Sequence, residues 1–264
     1  MIENFFQSLE ANQVDYLLIS GQATVLYGAA TFSEDLDIWI KPDDGNCKRF
    51  IASLREVNAR YYKLTPPLEV DYLNIGHGFH FTLPLEETGE KVFLDVLGKP
   101  PRVKEFDISV TLSNRLFTDW GKIPTIGLKD LVELKKTQRI ADYPIISNLA
   151  LIYCQNLESS LSQQDFDWII SNIFTSEILL AFLTTYPKVV DAYKSLLDPV
   201  VKRFVDECDE LGEIRDSTTD QVEESMQKRM RALQKLDRHY WRAIIKDLKN
   251  LNSNTLLVPI GQPV

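Results

Sequence analysis

The sequence predicts a mixed α/β (α+β) fold, in which a small mixed β-sheet backed by helices is followed by an all-helical C-terminal region. Two observations lead to this class. Short apolar runs of strand length alternate with helix-like segments in the first half of the chain. Later in the chain, every periodic segment has the spacing of a helix. We therefore expect a first domain over residues 1–145 and a helical domain over residues 146–264.

The strand candidates of the first half are short apolar runs bounded by turn-forming residues. They lie at residues 14–19, 36–40, 68–75, 77–83 and 91–97. Glu87-Thr88-Gly89-Glu90 is typical of a hairpin turn between the last two strands. Because helix-like segments separate most of the others, we expect a sheet of mixed strand direction.

Helices are expected around these strands. Phe5 and Leu9 share a helical face, and a short helix can begin directly after Gly21. Asp43 follows Pro42 as an N-cap, and the segment beyond it has apolar residues at helical spacing.

The second half is predicted to be helical up to a loosely held tail over residues 250–264. Asp142 can cap a helix that begins there. The acidic, Ser/Thr-rich stretch 206–220 is expected to be a loop or a mobile connection. The long helix that follows has an apolar stripe made of Met226, Met230, Leu233, Leu236, Tyr240, Ile244 and Leu248.

Composition and charge limit the classes of function. The chain has 264 residues, of which 44% are hydrophobic, which is ordinary for a globular protein with a real core. No apolar run reaches the roughly 18 residues of a membrane span, and the N-terminus does not resemble a signal peptide. Three widely spaced cysteines predict reduced thiols in a cytoplasmic protein. A net charge of −9 does not favour nucleic-acid binding by the surface as a whole, although a local basic patch could bind RNA.

Three aspartates form the most informative pattern. Asp35 and Asp37 stand at the start of a strand candidate, where alternation should place both on one side. Asp95 lies inside an apolar run, where an uncompensated charge would be costly. Neighbouring carboxylates raise each other's pKa unless a cation lies between them, and Mg²⁺ takes such oxygen ligands. A single Asp-x-Asp pair is more often a solvated strand end, so it is the combination with Asp95 that favours a metal site.

The turn at Ser20-Gly21 precedes these acids. Gly21 lets the backbone approach a phosphate closely, and the helix behind it presents free N–H groups. The order of strand, glycine turn, helix, Asp-x-Asp and lone Asp predicts that a triphosphate lies between the turn and the metals.

These stretches resemble the nucleotidyltransferase superfamily, the polymerase-β-like fold. Its pattern is a strand ending in Gly-Gly or Gly-Ser, a helix, Asp-x-Asp, and a third Asp on a neighbouring strand. Residues 17–23, 33–40 and 93–95 match this pattern, and the resemblance covers about residues 12–155. It is closest to minimal bacterial nucleotidyltransferase-like proteins, some of which are toxins of toxin–antitoxin or phage-abortive systems.

The resemblance implies roles for named residues. Asp35, Asp37 and Asp95 would hold two Mg²⁺ ions, with Asp95 orienting or deprotonating the acceptor hydroxyl. Phosphates of an NTP such as ATP would be bound in the turn. The residues expected to contact the nucleotide are Ser20, Gly21, Ser33, Lys135 and Arg139.

Two other features of the sequence bear on metal and RNA binding. His77 and His80 are three residues apart on a strand candidate, so alternation places them on opposite faces and a shared metal is not expected. The last helix also carries basic residues between 228 and 249, which could contact an RNA backbone or form a solvated face.

The sequence thus predicts Mg²⁺-dependent transfer of a nucleoside monophosphate from an NTP to an acceptor hydroxyl, with release of pyrophosphate. The acceptor could be a tRNA or other RNA end, a protein side chain or a small molecule. An antitoxin or another partner chain is a further expectation of the toxin resemblance. The alternative is a catalytically inactive binding or scaffold module of the same fold, which the serine at position 20 in place of the family's first glycine suggests.

Overall fold

The computed structural model of the protein describes residues 2–84, 91–157, 161–211 and 214–264. The fold is mixed α/β, with a seven-stranded sheet, helices beside it, and a helical region toward the C-terminus. The predicted fold class is therefore confirmed. None of the described helices has the length and apolar character needed to cross a membrane.

The sheet has the strand order β3-β4-β5-β2-β1-β7-β6. β2 runs antiparallel to β1 and parallel to β5, and β4 runs antiparallel to β5, so the sheet is mixed as expected. Its strands are β1 (Tyr16–Ile19), β2 (Leu36–Ile40), β3 (Arg60–Tyr61), β4 (Gly78–Pro84), β5 (Lys91–Leu97), β6 (Asn114–Thr118) and β7 (Gly121–Thr125).

Helices precede, interrupt and follow the sheet. Those of the sheet region are α1 (Ile2–Ala11), α2 (Ser20–Leu26), α3 (Asp44–Glu56), α4 (Val70–Ile75), α5 (Phe106–Thr111) and α6 (Leu128–Lys135). The later helices are α7 (Asp142–Leu157), α8 (Gln163–Ser171), α9 (Ser176–Thr185), α10 (Pro187–Tyr193), α11 (Pro199–Leu211) and α12 (Asp216–Ser253), with a 3₁₀ turn at Lys194–Leu196.

The chain forms two compact units. One combines Met1–Leu134 with His239–Val264, and the other is Lys135–Arg238. The domain boundary expected near residue 145 stays a prediction, and the compact units divide instead at residues 134/135, with the C-terminal segment belonging to the first unit.

Each unit has its own apolar core. In the first unit, the indole N–H of buried Trp39 donates to the carbonyl of Gly98 at 2.8 Å, and its ring meets Phe106 edge-on at 5.2 Å. In the second unit, buried aromatic rings such as Phe166 and Phe182 pack among aliphatic residues of α8 to α12.

The strand predicted at residues 68–75 is wrong, because this segment contains helix α4. Gly76 ends the helix in the left-handed conformation (φ +102°), and its N–H donates to carbonyls of Tyr72 and Leu73 at 3.2 Å. A C-terminal glycine of this kind is a common helix stop. Glu87-Thr88-Gly89-Glu90, predicted as a hairpin turn, lies outside the described residues.

The loop predicted over residues 206–220 is also wrong, since α11 and α12 cover most of it. The acids there have structural partners. Glu207 accepts from the backbone N–H of Arg215 at 3.0 Å and from the hydroxyl of Thr218 at 2.9 Å, at the start of α12. Asp206 and Asp209 each form an ion pair with Lys194 at 2.9 Å.

The expectation of a loose C-terminal tail is corrected as well. Residues after α12 return to the sheet and bridge to its β3 edge. The N–H of Tyr61 donates to Gln262 O at 3.0 Å, and the N–H of Gly261 donates to Tyr61 O at 2.7 Å. Val258 N–H donates to Thr65 O at 2.8 Å.

Candidate functional site

The structure brings Asp37 and Asp95 together on neighbouring strands. β2 and β5 are parallel, and their register pairs Asp37 with Asp95 and Ile38 with Val96. Adjacent strands lie about 4.8 Å apart, and paired residues project from the same face of the sheet. Ile38 and Val96 are fully buried on the other face. Two acids far apart in the sequence are therefore direct neighbours.

Asp35 lies in the exposed segment just before β2. Its charge, together with those of the other two acids, acts on the pKa of the Tyr62 phenol. Burial raises the pKa of Tyr62, and the charge of Asp95 and its hydrogen bond raise it further. The negative charges of Asp35 and Asp37 add to the same effect on that pKa. All three predicted carboxylates thus act on one hydroxyl group.

Asp95 is held by residues that the sequence did not assign to the site. The Tyr62 hydroxyl donates to its Oδ1 at 3.0 Å, and His80 Nδ1 lies 2.7 Å from the same oxygen. Because an ionised carboxylate only accepts, the proton of this bond belongs to His80 Nδ1. Lys63 Nζ is 3.9 Å from Oδ2, which is beyond ordinary hydrogen-bond length. Oδ2 is therefore the oxygen more open to a ligand.

The same contacts set the charge of Asp95. Burial alone would raise its pKa, but the hydrogen bond and charge of His80, the charge of Lys63 and the hydrogen bond of Tyr62 together lower it below the ordinary value. Asp95 is accordingly ionised at neutral pH.

These residues form a row across three strands and the residue that follows a fourth. Asp37 lies on β2, Asp95 on β5 and His80 on β4, where the register pairs His80 with Asp95. Tyr62 follows β3 directly, and its N–H donates to His80 O at 3.1 Å. The row is a product of strand register, so no local sequence motif could have indicated His80 or Tyr62.

The Ser20-Gly21 turn packs against the segment that carries Asp35. Ser20 begins α2 in the left-handed region (φ +57°), where glycine is usual. A Cβ on Gly21 would lie 2.1 Å from Ser33 Oγ. Gln22 Nε2 donates to Ser33 O at 2.8 Å. Gly21 is thus required for the close approach of Ser33, a role that the sequence did not reveal.

Lys135 and Arg139 belong to the second unit. Lys135 ends α6 and forms an ion pair with Asp142 at 3.3 Å, with both side chains largely buried. Asp142 also accepts from the Thr137 hydroxyl at 2.6 Å. Arg139 is exposed in the connection before α7. The nucleotide contacts of Lys135 and Arg139 stay predictions.

The two histidines of residues 77–80 have different partners. His77 is buried, and its Nε2 lies 2.8 Å from Asp247 Oδ2 of α12. His80 is bonded to Asp95 as described above. Strand alternation argues against a metal shared by these two histidines, but it does not reveal that His80 is a neighbour of Asp95.

The donor chemistry of the acids suits a hard divalent cation. The paired carboxylates of Asp37 and Asp95 are oxygen ligands of the type that Mg²⁺ prefers. In residues 2–84, 91–157, 161–211 and 214–264, no three His, Cys, Asp or Glu side chains are arranged as a ready metal-binding group. The residues fit such an ion by type and by register, and Asp95 Oδ2 would be its ligand atom.

Fold and site together define a mixed α/β protein with two acids paired on parallel strands. No family model and no curated protein matches this chain. Among solved structures, it is similar to the crystal structure of JHP933 from Helicobacter pylori, with 14% sequence identity and a TM-score of 0.40. That match covers 92% of this chain and 94% of the other.

Proposed function

We propose that the protein is a nucleotidyltransferase, which moves a nucleoside monophosphate from an NTP to an acceptor hydroxyl in a Mg²⁺-dependent reaction. Asp35, Asp37 and Asp95 are the residues that would hold the metal. The observation that carries the proposal is the register pairing of Asp37 with Asp95 on parallel strands.

The repulsion between the carboxylates of Asp37 and Asp95 needs a compensating positive charge. Two carboxylates on one sheet face repel each other, and each disfavours the charge of the other. His80, Tyr62 and Lys63 keep Asp95 ionised, so a charged carboxylate lies beside Asp37. When bound there, Mg²⁺ would neutralise this charge and stabilise the charge that develops on the phosphates.

The chain's own residues then position the acceptor. An acceptor hydroxyl at Asp95 Oδ2 would attack the α-phosphorus of the NTP, forming a new P–O bond. The bond from the α-phosphorus to the bridging oxygen breaks, and pyrophosphate leaves with its electron pair. The hydroxyl proton passes by way of Oδ2 to water, because the pKa of Asp95 is too low for it to retain the proton. Tyr62 and His80 fix the carboxylate by bonding Oδ1.

The direct test is incubation of the protein with each labelled NTP and Mg²⁺, followed by measurement of pyrophosphate release and of label transfer. Asp37→Asn and Asp95→Asn should each lower the rate by about 100-fold or more. Asp71→Asn, an exposed acid of α4, is the matched control and should leave the rate unchanged. Absence of NTP binding at millimolar levels in a folded protein would count against the proposal.

One observation favours the scaffold alternative. Asp95 already has protein partners in His80, Tyr62 and Lys63, as a purely structural acid would have. Double substitution Asp35→Asn with Asp37→Asn separates the two functions. It should abolish Mg²⁺-dependent NTP binding in an enzyme, whereas a scaffold would keep its partner. A toxin would slow growth when expressed, and Asp37→Ala would relieve this.

A further inference from the structure

A cavity of about 350 Å³ lies in the first unit, away from the acid row. It is lined by residues of α1, β1, α5, β6 and β7. Tyr16 lines the cavity at the first position of β1, whereas Ile19, which pairs with Asp37, is the last. Three steps along the strand separate these positions by roughly 10 Å. The cavity is therefore distinct from the proposed transfer site.

We propose that this cavity is a binding site for a small planar molecule that carries an anionic group. The cavity is open to solvent on one side, and its size falls in the range of small-molecule sites. The acid row plays no part in this proposal, which stands independently of nucleotide transfer.

Aromatic rings supply the planar surface. Trp120 stacks on Phe6 with ring centres 5.7 Å apart and an interplanar angle of 18°. Phe6 stacks on Tyr16 at 5.8 Å and 28°. All three line the cavity, and Trp120 is only half-buried. A planar ligand can extend this stack, since offset parallel rings attract each other.

The charges at the cavity favour an anion. Arg115 of β6 and Lys122 of β7 both line it. Two acids, Glu10 and Asp15, also line it, but Asp15 forms an ion pair with Arg49 at 3.4 Å. Apart from Asp15, the charged residues of the lining are therefore Arg115, Lys122 and Glu10, and Lys122 Nζ lies 5.1 Å from the centre of the Phe117 ring.

The phenol of Tyr16 adds support from its surroundings. Burial raises its pKa, the positive charge of Arg115 lowers it, and the negative charge of Glu10 raises it. Opposite charges therefore converge on one buried polar group in the wall. Convergent polar groups in an aromatic cavity are the usual features of a ligand site.

Two dyes of the same shape provide the test. Anilinonaphthalene sulfonate carries a planar naphthalene ring and an anionic sulfonate, and N-phenylnaphthylamine is its uncharged counterpart. Each is titrated against the full chain while dye fluorescence is recorded. We expect one site for the sulfonate. Trp120→Leu should weaken both dyes by roughly 3- to 10-fold, through the lost ring contact. Arg115→Gln should weaken the sulfonate by roughly 10-fold and leave the neutral dye unchanged.

The matched controls change the same types of residue at positions outside the cavity. Phe32→Leu removes an exposed ring that does not line the cavity, and Lys48→Gln removes an exposed cation of α3. Both should bind the dyes like wild type. A third variant, Val110→Trp, places a large side chain at the cavity from a partly exposed position of α5. It should weaken both dyes with little change in the unfolding midpoint.

The outcomes are separable. Equal affinities in Trp120→Leu, Val110→Trp and the control variants would overturn the proposal, as would several weak sites in place of one. Equal changes in the affinities of the two dyes in Arg115→Gln would also overturn it, because the anion preference would then be absent. If Trp120→Leu does not fold, Val110→Trp with Arg115→Gln decides the question.

Discussion

Gly21→Ala tests how the glycine turn supports the acid segment. A Cβ at this position would lie 2.1 Å from Ser33 Oγ and 3.0 Å from Ser33 Cβ. The hydroxyl can rotate away, but the Ser33 Cβ moves only with its backbone. Overpacking of this kind costs about 1–3 kcal/mol. The higher helix propensity of alanine offsets at most about 1 kcal/mol of this destabilisation.

Gly45→Ala is the matched control for this substitution. Gly45 is the second residue of α3 as Gly21 is of α2, and its nearest atoms would be 3.4 Å from the new Cβ, an ordinary contact. Unfolding by urea gives the free energy of each variant. We expect Gly21→Ala to be about 1–3 kcal/mol less stable than Gly45→Ala.

A double-mutant cycle assigns this cost to Ser33. In a Ser33→Gly background both contacting atoms are gone, so Gly21→Ala should no longer destabilise the protein. Equal free energies of unfolding for Gly21→Ala and Gly45→Ala would refute the reasoning. An unchanged cost in the Ser33→Gly background would refute it as well.

Three further predictions concern single contacts. The pKa of Asp95 is lower in the folded protein than in the unfolded chain, where it is about 3.9. The ionised Asp95 therefore stabilises the fold above this pH, and the stabilisation is lost as the pH falls through the folded-state pKa. The difference in unfolding free energy between wild type and Asp95→Asn, measured by urea titration, should shrink below about pH 4. Asp247→Ala leaves buried His77 without its partner and should cost about 1–3 kcal/mol by urea unfolding, whereas exposed Asp220→Ala on the same helix should stay within about 0.5 kcal/mol of wild type. Ser20→Gly should raise the unfolding free energy by up to about 1 kcal/mol, because Ser20 has φ +57°, and a lower melting temperature would contradict this.

Local patterns were sufficient for much of the fold. The apolar runs at residues 36–40 and 91–97 coincide with β2 and β5, and Asp43 caps α3 through the N–H of Asn46. These features depend on neighbours in the chain, so a sequence contains them directly.

Features that depend on distant partners were not predictable. β3 has two residues, and it pairs with β4 and with the C-terminal tail rather than showing a pattern of its own. Strands β6 and β7 and helix α5 were also missed, because their short segments lack a clear period. The segment of α4 predicts a strand as readily as a helix, because an apolar run of that length fits either structure.

The candidate site likewise has residues that the sequence predicts and residues that only strand pairing brings together. Asp37 and Asp95 were recognisable as acids in apolar strands, and the register then made them neighbours. His80 and Tyr62 reach Asp95 only through the pairing of β4 with β5 and the backbone bond that follows β3. Such contacts have no signature in a single sequence.

The return of the C-terminal tail to β3 has a consequence for synthesis on the ribosome. Arg60 Nη1 donates to Gly261 O across 201 residues of chain. At a synthesis rate of about 5–20 residues per second, roughly 10–40 seconds pass between the translation of Arg60 in β3 and that of Gly261. Throughout that interval the nascent chain presents an open β-edge, which is where chaperones or misassembly would act.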